Sequence, residues 1–412
     1  MTALHSDLAV QVQWGSGPTD RYEQLAAKFR PVFRRIAEAT VAREVERILP
    51  FEQITWLKEA RFGALRIPVE AGGFGATLEE LFELLAELAA ADSNLTQILR
   101  AHFGVVEDVL ASRDGARRTR WFERLSQGDF FGGAFTERGA KAGTFATTVL
   151  PDGDGWVANG QKYYSTGSIF ADWIELVATG PDGDIVVAAV PAQAEGLQQL
   201  DDWDGFGQKL TGSGTSTYHD VRLPADAVEK ASGRFQYQAA FYQAVHLATL
   251  TGIARSAAVD VSKHLARRTR TFTHASSRVA RQDVQLLQVV GQVHAAAYAA
   301  GAITQRVAQA LQRAYRAAES ADEATLREIN LAAEIEAAEG QVAIVPLVLN
   351  ATSILFDALA ASATSRKDSL DRHWRNARTI SSHNPVVYKA RVIGDFAVNR
   401  SEPPYMWLPG ES

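Results

Sequence analysis

The sequence predicts an α+β protein built from helices, then short β-strands, then long helices. Apolar residues recur every three or four positions in the first and last parts of the chain, which is the period of an amphipathic helix. Between them lie short β-rich runs bounded by glycine, asparagine and proline, as expected of a β domain. We therefore predict an N-terminal α-helical domain at residues 1–126, a middle β-barrel or sandwich domain at 127–231 and a C-terminal four-helix bundle at 232–412.

The composition is that of an ordinary soluble globular protein. Of its 412 residues, 22% are charged and 46% hydrophobic, a balance that can bury a large core. The net charge of −6 gives no global basic field, so we expect no nucleic-acid partner. The sequence contains no cysteine, which excludes disulfides, thiolate metal sites and cysteine nucleophiles.

Neither a secretion signal nor a membrane span is expected. Residues 1–19 lack a basic start followed by an apolar core, the signature of a signal peptide. Residues 341–361 are the most membrane-like run, but Gln341 and Asp357 interrupt it. We predict a buried bundle helix there, kinked or interrupted by Pro346, and a cytoplasmic location.

In the first part, residues 66–75 separate two predicted helices. This stretch contains Pro68 and three glycines, which favour a turn over a regular element. The glycines neither follow a strand nor precede a Lys-Ser/Thr pair, so a phosphate-binding P-loop is not predicted. We expect a tight connection between helices.

The middle part contains three strand signals. Asn159-Gly160 separates two β-rich runs and predicts a hairpin turn at that point. Residues 185–191 are typical of a buried strand, and residues 215–224 of a half-buried one. The last part should hold helices near 235–272, 279–318, 323–362 and 370–382.

The final predicted helix carries a row of cations and ends at a histidine. Arg372, Arg375 and Arg378 follow one another at i,i+3 steps and should share one side of the helix, which suits an anion. Pro385 should end the helix and leave His383 in a loop, where it could move protons near neutral pH. The alternative is a solvated basic helix face with a surface histidine. No His-Glu-x-x-His motif or comparable ligand set occurs, so we predict no metal site.

Several motifs appear in an order found in a known family. They include Phe135-Thr-Glu137, residues 159–168 (Asn-Gly-Gln-Lys-Tyr-Tyr-Ser-Thr-Gly-Ser), residues 203–213 and residues 219–224. With the order of helices, β domain and bundle, they resemble the acyl-CoA dehydrogenase superfamily over nearly the whole chain. This resemblance implies a flavin site enclosed by the β domain and the bundle.

The resemblance places five residues of the middle part against the flavin ring: Phe135, Thr136, Tyr164, Ser165 and Thr166. Hydroxyls and backbone N–H groups can hydrogen-bond the polar edge of a flavin, while aromatic rings cover its apolar faces. The alternative is that these hydroxyls only satisfy backbone groups at strand ends.

One departure from the family changes the expected reaction. Acyl-CoA dehydrogenases often carry a catalytic glutamate late in the bundle, but no carboxylate lies between Asp371 and Asp395 here. Residues 374–379 and 382–389 instead resemble the flavin-dependent monooxygenases typified by dibenzothiophene monooxygenase. That branch implies reduced FMN from a separate reductase, O₂, and a C4a-hydroperoxyflavin that oxygenates a small apolar substrate, with organosulfur compounds among the candidates.

Within that branch, His383 is predicted to handle the hydroperoxide proton. His102 is a second polar group near the ring, and Thr166 could donate to flavin N5 or to the peroxide. The alternatives are a helix C-cap, a packed helix histidine and a strand-end threonine. Asn384, beside His383, is a further flavin-binding candidate.

The FMN phosphate is assigned to Arg270 and Arg375, because guanidinium groups bind phosphate through paired, charge-assisted hydrogen bonds. Ordinary salt bridges are the alternative for both arginines. The resemblance also implies a homotetramer whose flavin site could span an interface.

Two other functions stay open at this point. One is an FAD-dependent acyl-CoA dehydrogenase with a relocated base, and the other is a non-catalytic scaffold without flavin. The identity of the substrate cannot be derived from sequence, because its pocket combines distant segments.

Overall fold

The computed structural model describes residues 14–138 and 145–405. The first part of the chain is helical, and capping residues define several of its helix ends. Thr77 and Glu80 form a reciprocal capping box, while Asp92 and Asp114 cap two further helices, supplying acceptors for backbone N–H groups that lack an intrahelical partner. The helices are α1 (Tyr22–Glu38), α2 (Thr40–Glu46), α3 (Phe51–Glu59), α4 (Leu78–Ala91), α5 (Ser93–Ile98), α6 (Arg100–Ala111) and α7 (Gly115–Gln127).

The connection at residues 66–75 is a compact turn, as predicted. It contains a single 3₁₀ turn at Val69–Ala71, ended by Gly72 in the left-handed region. A Cβ atom on Gly73 would lie 2.2 Å from the Ile67 carbonyl oxygen, so only glycine allows the chain to fold back this closely.

The middle part forms one mixed eight-stranded sheet with the order β6-β7-β3-β2-β4-β5-β8, and β1 pairs in parallel with β4. As predicted, strands occupy most of residues 185–191 and 215–224, although the first of them buries only alternate side chains. The strands are β1 (Phe131–Ala134), β2 (Thr148–Asp152), β3 (Gly155–Lys162), β4 (Trp173–Thr179), β5 (Ile185–Pro191), β6 (Leu197–Gln199), β7 (Ser216–Leu223) and β8 (Val228–Lys230).

The predicted hairpin turn at Asn159-Gly160 is wrong. Both residues lie inside β3, where the pairing with β7 shifts register between Ala158 and Gly160. Gly160 has φ +139°, and a Cβ there would lie 2.6 Å from the Thr147 Cα atom. The glycine therefore serves a strand irregularity, and the chain reverses at Gly153 between β2 and β3.

The last part is a bundle of long helices. They are α8 (Gln238–Arg267), α9 (Val284–Ser320), α10 (Glu323–Leu359), α11 (Asp371–Ser382) and α12 (Val386–Asn399). Helix α10 runs through Pro346 without interruption, so of the two predicted effects of this proline, a kink or an interruption, the interruption is absent. The prediction that α11 ends ahead of Pro385 is confirmed, and α12 adds a fifth helix to the expected four.

Two bundle helices, α9 and α10, are long and apolar enough to cross a membrane by length and composition alone. Within the protomer, 22% and 44% of their most apolar windows are buried. Core helices of soluble proteins pass the same test, so this observation by itself places neither helix in a membrane.

The three parts are joined by shared cores. The largest apolar cluster combines the N-terminal helices with the bundle, and a Cβ on Gly252 of α8 would lie 2.3 Å from the Ala89 side chain of α4. A smaller cluster lies under α6, α7 and β1, where Gly133 of β1 faces Ala101 of α6. The α+β fold of helices, sheet and bundle is confirmed. The exact domain limits remain a prediction.

Candidate active site

The loop after β1 is fixed by a buried lysine. Lys162 Nζ donates to the Phe135 carbonyl oxygen over 3.1 Å and to Glu137 Oε1 over 2.7 Å, while Tyr163 N–H donates to the Thr136 carbonyl oxygen over 2.8 Å. Burial lowers the pKa of Lys162 to about 8, against the opposing effect of Glu137. These bonds hold Phe135 and Thr136 beside the segment that follows β3.

That segment presents a row of hydroxyls. Thr166 Oγ1 lies 2.8 Å from Ser213 Oγ, which lies 2.7 Å from Thr211 Oγ1. Ser165 Oγ is buried and has no hydrogen-bond partner among the described residues. A buried hydroxyl without a partner is uncommon, so it points to a ligand or water that completes it.

Aromatic rings stand beside these hydroxyls. Tyr164 has φ +64° and keeps 50% of its surface exposed, and Phe135 keeps 39%. The Tyr164 ring lies 5.9 Å from that of Trp203. Exposed rings next to the hydroxyl row and the unpaired Ser165 hydroxyl fit the apolar faces and polar edge of a flavin. The structure thus brings together all five residues predicted to touch the ring.

His383 lies directly after α11, in contact with a second histidine. Its ring centroid is 4.6 Å from that of His246 on α8. Asn384 donates through Nδ2 to Gln243 over 3.0 Å, so its Oδ1 is the acceptor for His383 Nδ1, 3.3 Å away. This arrangement assigns the proton to Nδ1 and leaves Nε2 of His383 as a hydrogen-bond acceptor.

His383 is neutral near pH 7. Its side chain keeps solvent-accessible area, yet it is surrounded by protein deeply enough that removal from bulk water is the main influence on its pKa. That effect, strengthened by the nearby Arg100 cation, lowers the pKa to about 4. We refer to the accessible space beside His383 and His246 as the cleft.

His102 occupies a different environment. It is fully buried, with Nε2 3.0 Å from the Gly63 carbonyl oxygen and Nδ1 accepting from Phe131 N–H over 3.3 Å. Burial lowers its pKa to about 4. Both nitrogens are engaged, so His102 positions β1 against the N-terminal helices and does not reach the cleft directly.

The arginine row on α11 is mostly occupied by protein carboxylates. Arg372 Nη2 lies 2.6 Å from Asp260, and Arg375 binds Glu44 over 2.7 Å and Asp371 over 2.8 Å. Arg378 is exposed. Carboxylates of the chain itself, and not a bound ligand, thus neutralise most of the positive charge on this helix face.

Arg270 lies in the connection between α8 and α9 and is exposed. Its carbonyl oxygen accepts from Arg268 Nε over 3.0 Å. The structure does not bring Arg270 next to the hydroxyl row or His383 within this protomer.

Sequence reasoning missed three polar groups of the cleft: Arg100, Tyr242 and His246. The signal for Arg100 was its position two residues before His102, which the sequence had already indicated as a candidate. The histidine and tyrosine on α8 carried no comparable signal, because isolated polar residues in a helix are common. Among the described residues, no group of three His, Asp or Glu side chains could hold a metal ion.

The chain is similar to known flavoenzymes. Residues 244–388 match the family model described as acyl-CoA dehydrogenase, C-terminal domain. The chain is 28% identical to dibenzothiophene monooxygenase from Mycolicibacterium goodii, over 84% of this chain and 86% of that protein.

Solved structures of similar proteins cover almost the whole chain. FMN-bound TdsC from Paenibacillus sp. A11-2 is 26% identical, with a TM-score of 0.86 over 93% of this chain and 99% of that one. Methanesulfinate monooxygenase MsuC from Pseudomonas fluorescens is 25% identical, with a TM-score of 0.84 over 92% and 98%. Over most of its length the chain is therefore similar to flavin-dependent monooxygenases that have the acyl-CoA dehydrogenase-like fold.

Proposed function

We propose that this protein is the oxygenase component of a two-component monooxygenase. It would take reduced FMN from a separate reductase and use O₂ to oxygenate a small organosulfur molecule. The observation that carries the proposal is the neutral, accessible His383 at the end of α11, in the part of the bundle where related dehydrogenases often place a carboxylate. The contacts of His383 within the described residues are with His246 and Asn384, and neither supplies a carboxylate for α-proton removal.

Bound reduced FMN would supply the chemistry, activating O₂ so that one of its oxygen atoms reaches the substrate. The chain's residues bind and orient it. Ser165 Oγ and Thr166 Oγ1 would hydrogen-bond the polar edge of the ring, while Tyr164 and Phe135 would cover its faces and exclude water. His383 Nε2 would accept a proton at the reacting oxygen and return it as the product forms.

For the phosphate we favour Arg270 over Arg375. Phosphate would have to compete with Glu44 and Asp371 for the Arg375 guanidinium, whereas Arg270 has an exposed side chain. Because Arg270 lies outside the cleft in one protomer, its phosphate role is compatible with a site completed by a second copy.

Exposed apolar side chains on α9 support a homotetramer, which we propose together with a cytoplasmic location. Val284, Leu287 and Tyr298 keep about half or more of their surface exposed. Such a surface on a long helix favours burial against other copies of the chain.

Anaerobic titration with reduced FMN and with reduced FAD tests the cofactor. We expect saturable binding of reduced FMN and at least about tenfold weaker binding of reduced FAD, since the proposed site assigns Arg270 to a phosphate and no residue to an adenosine half. Tighter binding of FAD, with bleaching of oxidised flavin by an acyl-CoA, would instead show a dehydrogenase.

The role of His383 is tested by mixing the loaded protein with O₂ and an organosulfur substrate. His383→Ala should lower product formation by about a hundredfold and raise hydrogen peroxide release correspondingly. His219→Ala, an exposed histidine on β7, is the matched control and should behave like the wild type. Equal product yield from His383→Ala and the wild type would remove His383 from the mechanism.

A further inference from the structure

One cation in the cleft has no anionic partner. Arg100, at the start of α6, donates through Nε to the Tyr242 carbonyl oxygen over 3.3 Å, and its guanidinium lies 4.4 Å from the Tyr242 ring centroid. Within residues 14–138 and 145–405, no carboxylate lies within salt-bridge distance of it. The two terminal nitrogens of its guanidinium therefore have no acceptor in the described structure.

The nearest candidate carboxylate is already engaged. Glu175 acts on Arg100 only at longer range, because it pairs directly with Arg234, which also binds Asp108. Removal from bulk water lowers the pKa of Arg100 to about 10, so the side chain is still a cation at pH 7. A half-buried cation without a partner is unfavourable, and an anion bound beside it would relieve that cost.

The position of the guanidinium is fixed by packing. A Cβ on Gly104 would lie 2.1 Å from Tyr242 Oη, so the tyrosine ring can lie against α6 only because residue 104 is glycine. That ring in turn supports the Arg100 guanidinium through a cation–π contact. Arg100 is held in place before any ligand arrives.

Further hydrogen-bonding groups face the same region. His246 is buried and its Nε2 has no partner in the described structure. Tyr242, which contacts Arg100, and His246 lie one helical turn apart on α8, and the His246 ring centroid lies 4.6 Å from that of His383. The three side chains therefore lie in the same region. A buried, unpaired imidazole nitrogen beside a guanidinium offers an oxyanion a second hydrogen bond.

This space adjoins the proposed flavin loop. Ala101, the neighbour of Arg100, packs against Gly133 of β1, and Gly133 N–H donates to the Thr166 carbonyl oxygen over 3.0 Å. A molecule bound between Arg100 and His383 would thus lie next to the segment that holds the ring.

We infer that Arg100 is a specificity residue that selects substrates with an anionic head group, such as a sulfinate, sulfonate or carboxylate. This inference rests on the proposed function and changes the expected substrate from an apolar molecule to a small anion. The guanidinium and His246 Nε2 would bind two oxygens of the head group, which directs the remainder of the substrate along His383.

Calorimetric titration of the full-length protein tests the inference without turnover. The probes are propanesulfonate, an unreactive anion, and diethyl sulfone, a neutral molecule of similar size. The wild type should bind propanesulfonate at least about tenfold more tightly than the sulfone, because hydrogen bonds between a guanidinium and an anionic head group are stronger than those to a neutral one. Arg100→Met should lose this preference, and Arg100→Lys should retain part of it because it keeps the charge.

The matched control is Arg222→Met on β7, whose guanidinium is 82% exposed and pairs with Asp152. It should bind both probes like the wild type. Equal binding of the two probes by the wild type, or unchanged sulfonate affinity in a folded Arg100→Met variant, would overturn the inference. So would a loss of reduced-FMN affinity in Arg100→Met without a change in sulfonate affinity, because Arg100 would then serve the flavin.

The outcome is separable from that of the proposed function. If the protein binds reduced FMN and oxygenates neutral sulfides but not sulfinates, the anion preference is wrong and the monooxygenase function stands. Binding of propanesulfonate through Arg100 by a protein that binds no reduced flavin would sink the monooxygenase and leave the anion site.

Discussion

Arg375 and Arg100 carry the same charge in two regions of the molecule, with opposite consequences. Arg375 joins α11 to Glu44 of α2 and to Asp371, so its charge is neutralised by the chain. Arg100 rests on an aromatic ring, without a carboxylate among its described contacts. An arginine paired with carboxylates thus supports the fold, whereas an arginine without such a pair in the cleft is available to a ligand.

The largest expected effect is a difference in the free energy of unfolding between variants of these two arginines. Arg375→Met should lower the free energy of unfolding by about 3 kcal/mol, because it leaves the buried Glu44 carboxylate unpaired. Arg100→Met should change it by less than about 1 kcal/mol, since no ion pair is lost. Chemical unfolding at fixed protein concentration measures both. Equal losses in the two variants would erase the distinction.

A second pair of variants compares the two histidines. His102→Ala should lower the free energy of unfolding by about 2–3 kcal/mol, because it removes two buried hydrogen bonds and leaves a cavity. His383→Ala should lower it by less than about 1 kcal/mol, since its ring borders an open cleft. Unfolding curves of both variants decide this, and a larger loss for His383→Ala would make it a structural residue.

The same comparison predicts a pH dependence of stability. The pKa of His102 is about 4 in the folded protein and about 6.5 when unfolded, so the unfolded state binds more protons between these values. Stability from this residue is complete above pH 6.5 and is lost as the pH falls towards 4. Thermal unfolding across this window should show a shallower slope for His102→Gln than for the wild type. An unchanged slope would assign the dependence to other groups.

The smallest effect concerns the hydroxyl row. Thr166→Val should weaken binding of reduced FMN about fivefold, since it removes one hydrogen bond to the ring. Ser213→Ala should weaken it about twofold, because Ser213 acts only by orienting Thr166. Anaerobic titration gives both affinities. A larger loss for Ser213→Ala would reverse the assigned order of contact.

Features that depend on neighbouring residues in the sequence could be predicted from it. The order of helices, strands and bundle followed from periodicity, and Pro385 correctly predicted the end of α11 and the position of His383. The three arginines of α11 were correctly placed on a helix. Salt bridges were an alternative for Arg375, but the partners Glu44 and Asp260 could not be identified from sequence, because they lie 331 and 112 residues away in the chain.

The missed features share this long-range origin. The availability of Arg100 depends on Arg234 engaging Glu175, an arrangement spread over three parts of the fold. The seclusion of His102 depends on Gly63 and Phe131, which approach it from opposite sides in sequence. Such contacts follow from tertiary packing and leave no mark in a window of neighbouring residues.

The displaced hairpin has a practical consequence for engineering the chain. Gly153 and Asp154 form the exposed reversal between β2 and β3, where an inserted tag or a new pair of termini should be tolerated. The same insertion at Asn159-Gly160 would interrupt β3 in the middle of the sheet, where it pairs with β2 on one side and β7 on the other. A chain break at Asn159-Gly160 would detach the end of β3 that carries Lys162. The hydrogen bonds from Lys162 to Phe135 and Glu137, which fix the loop after β1, would then be weakened.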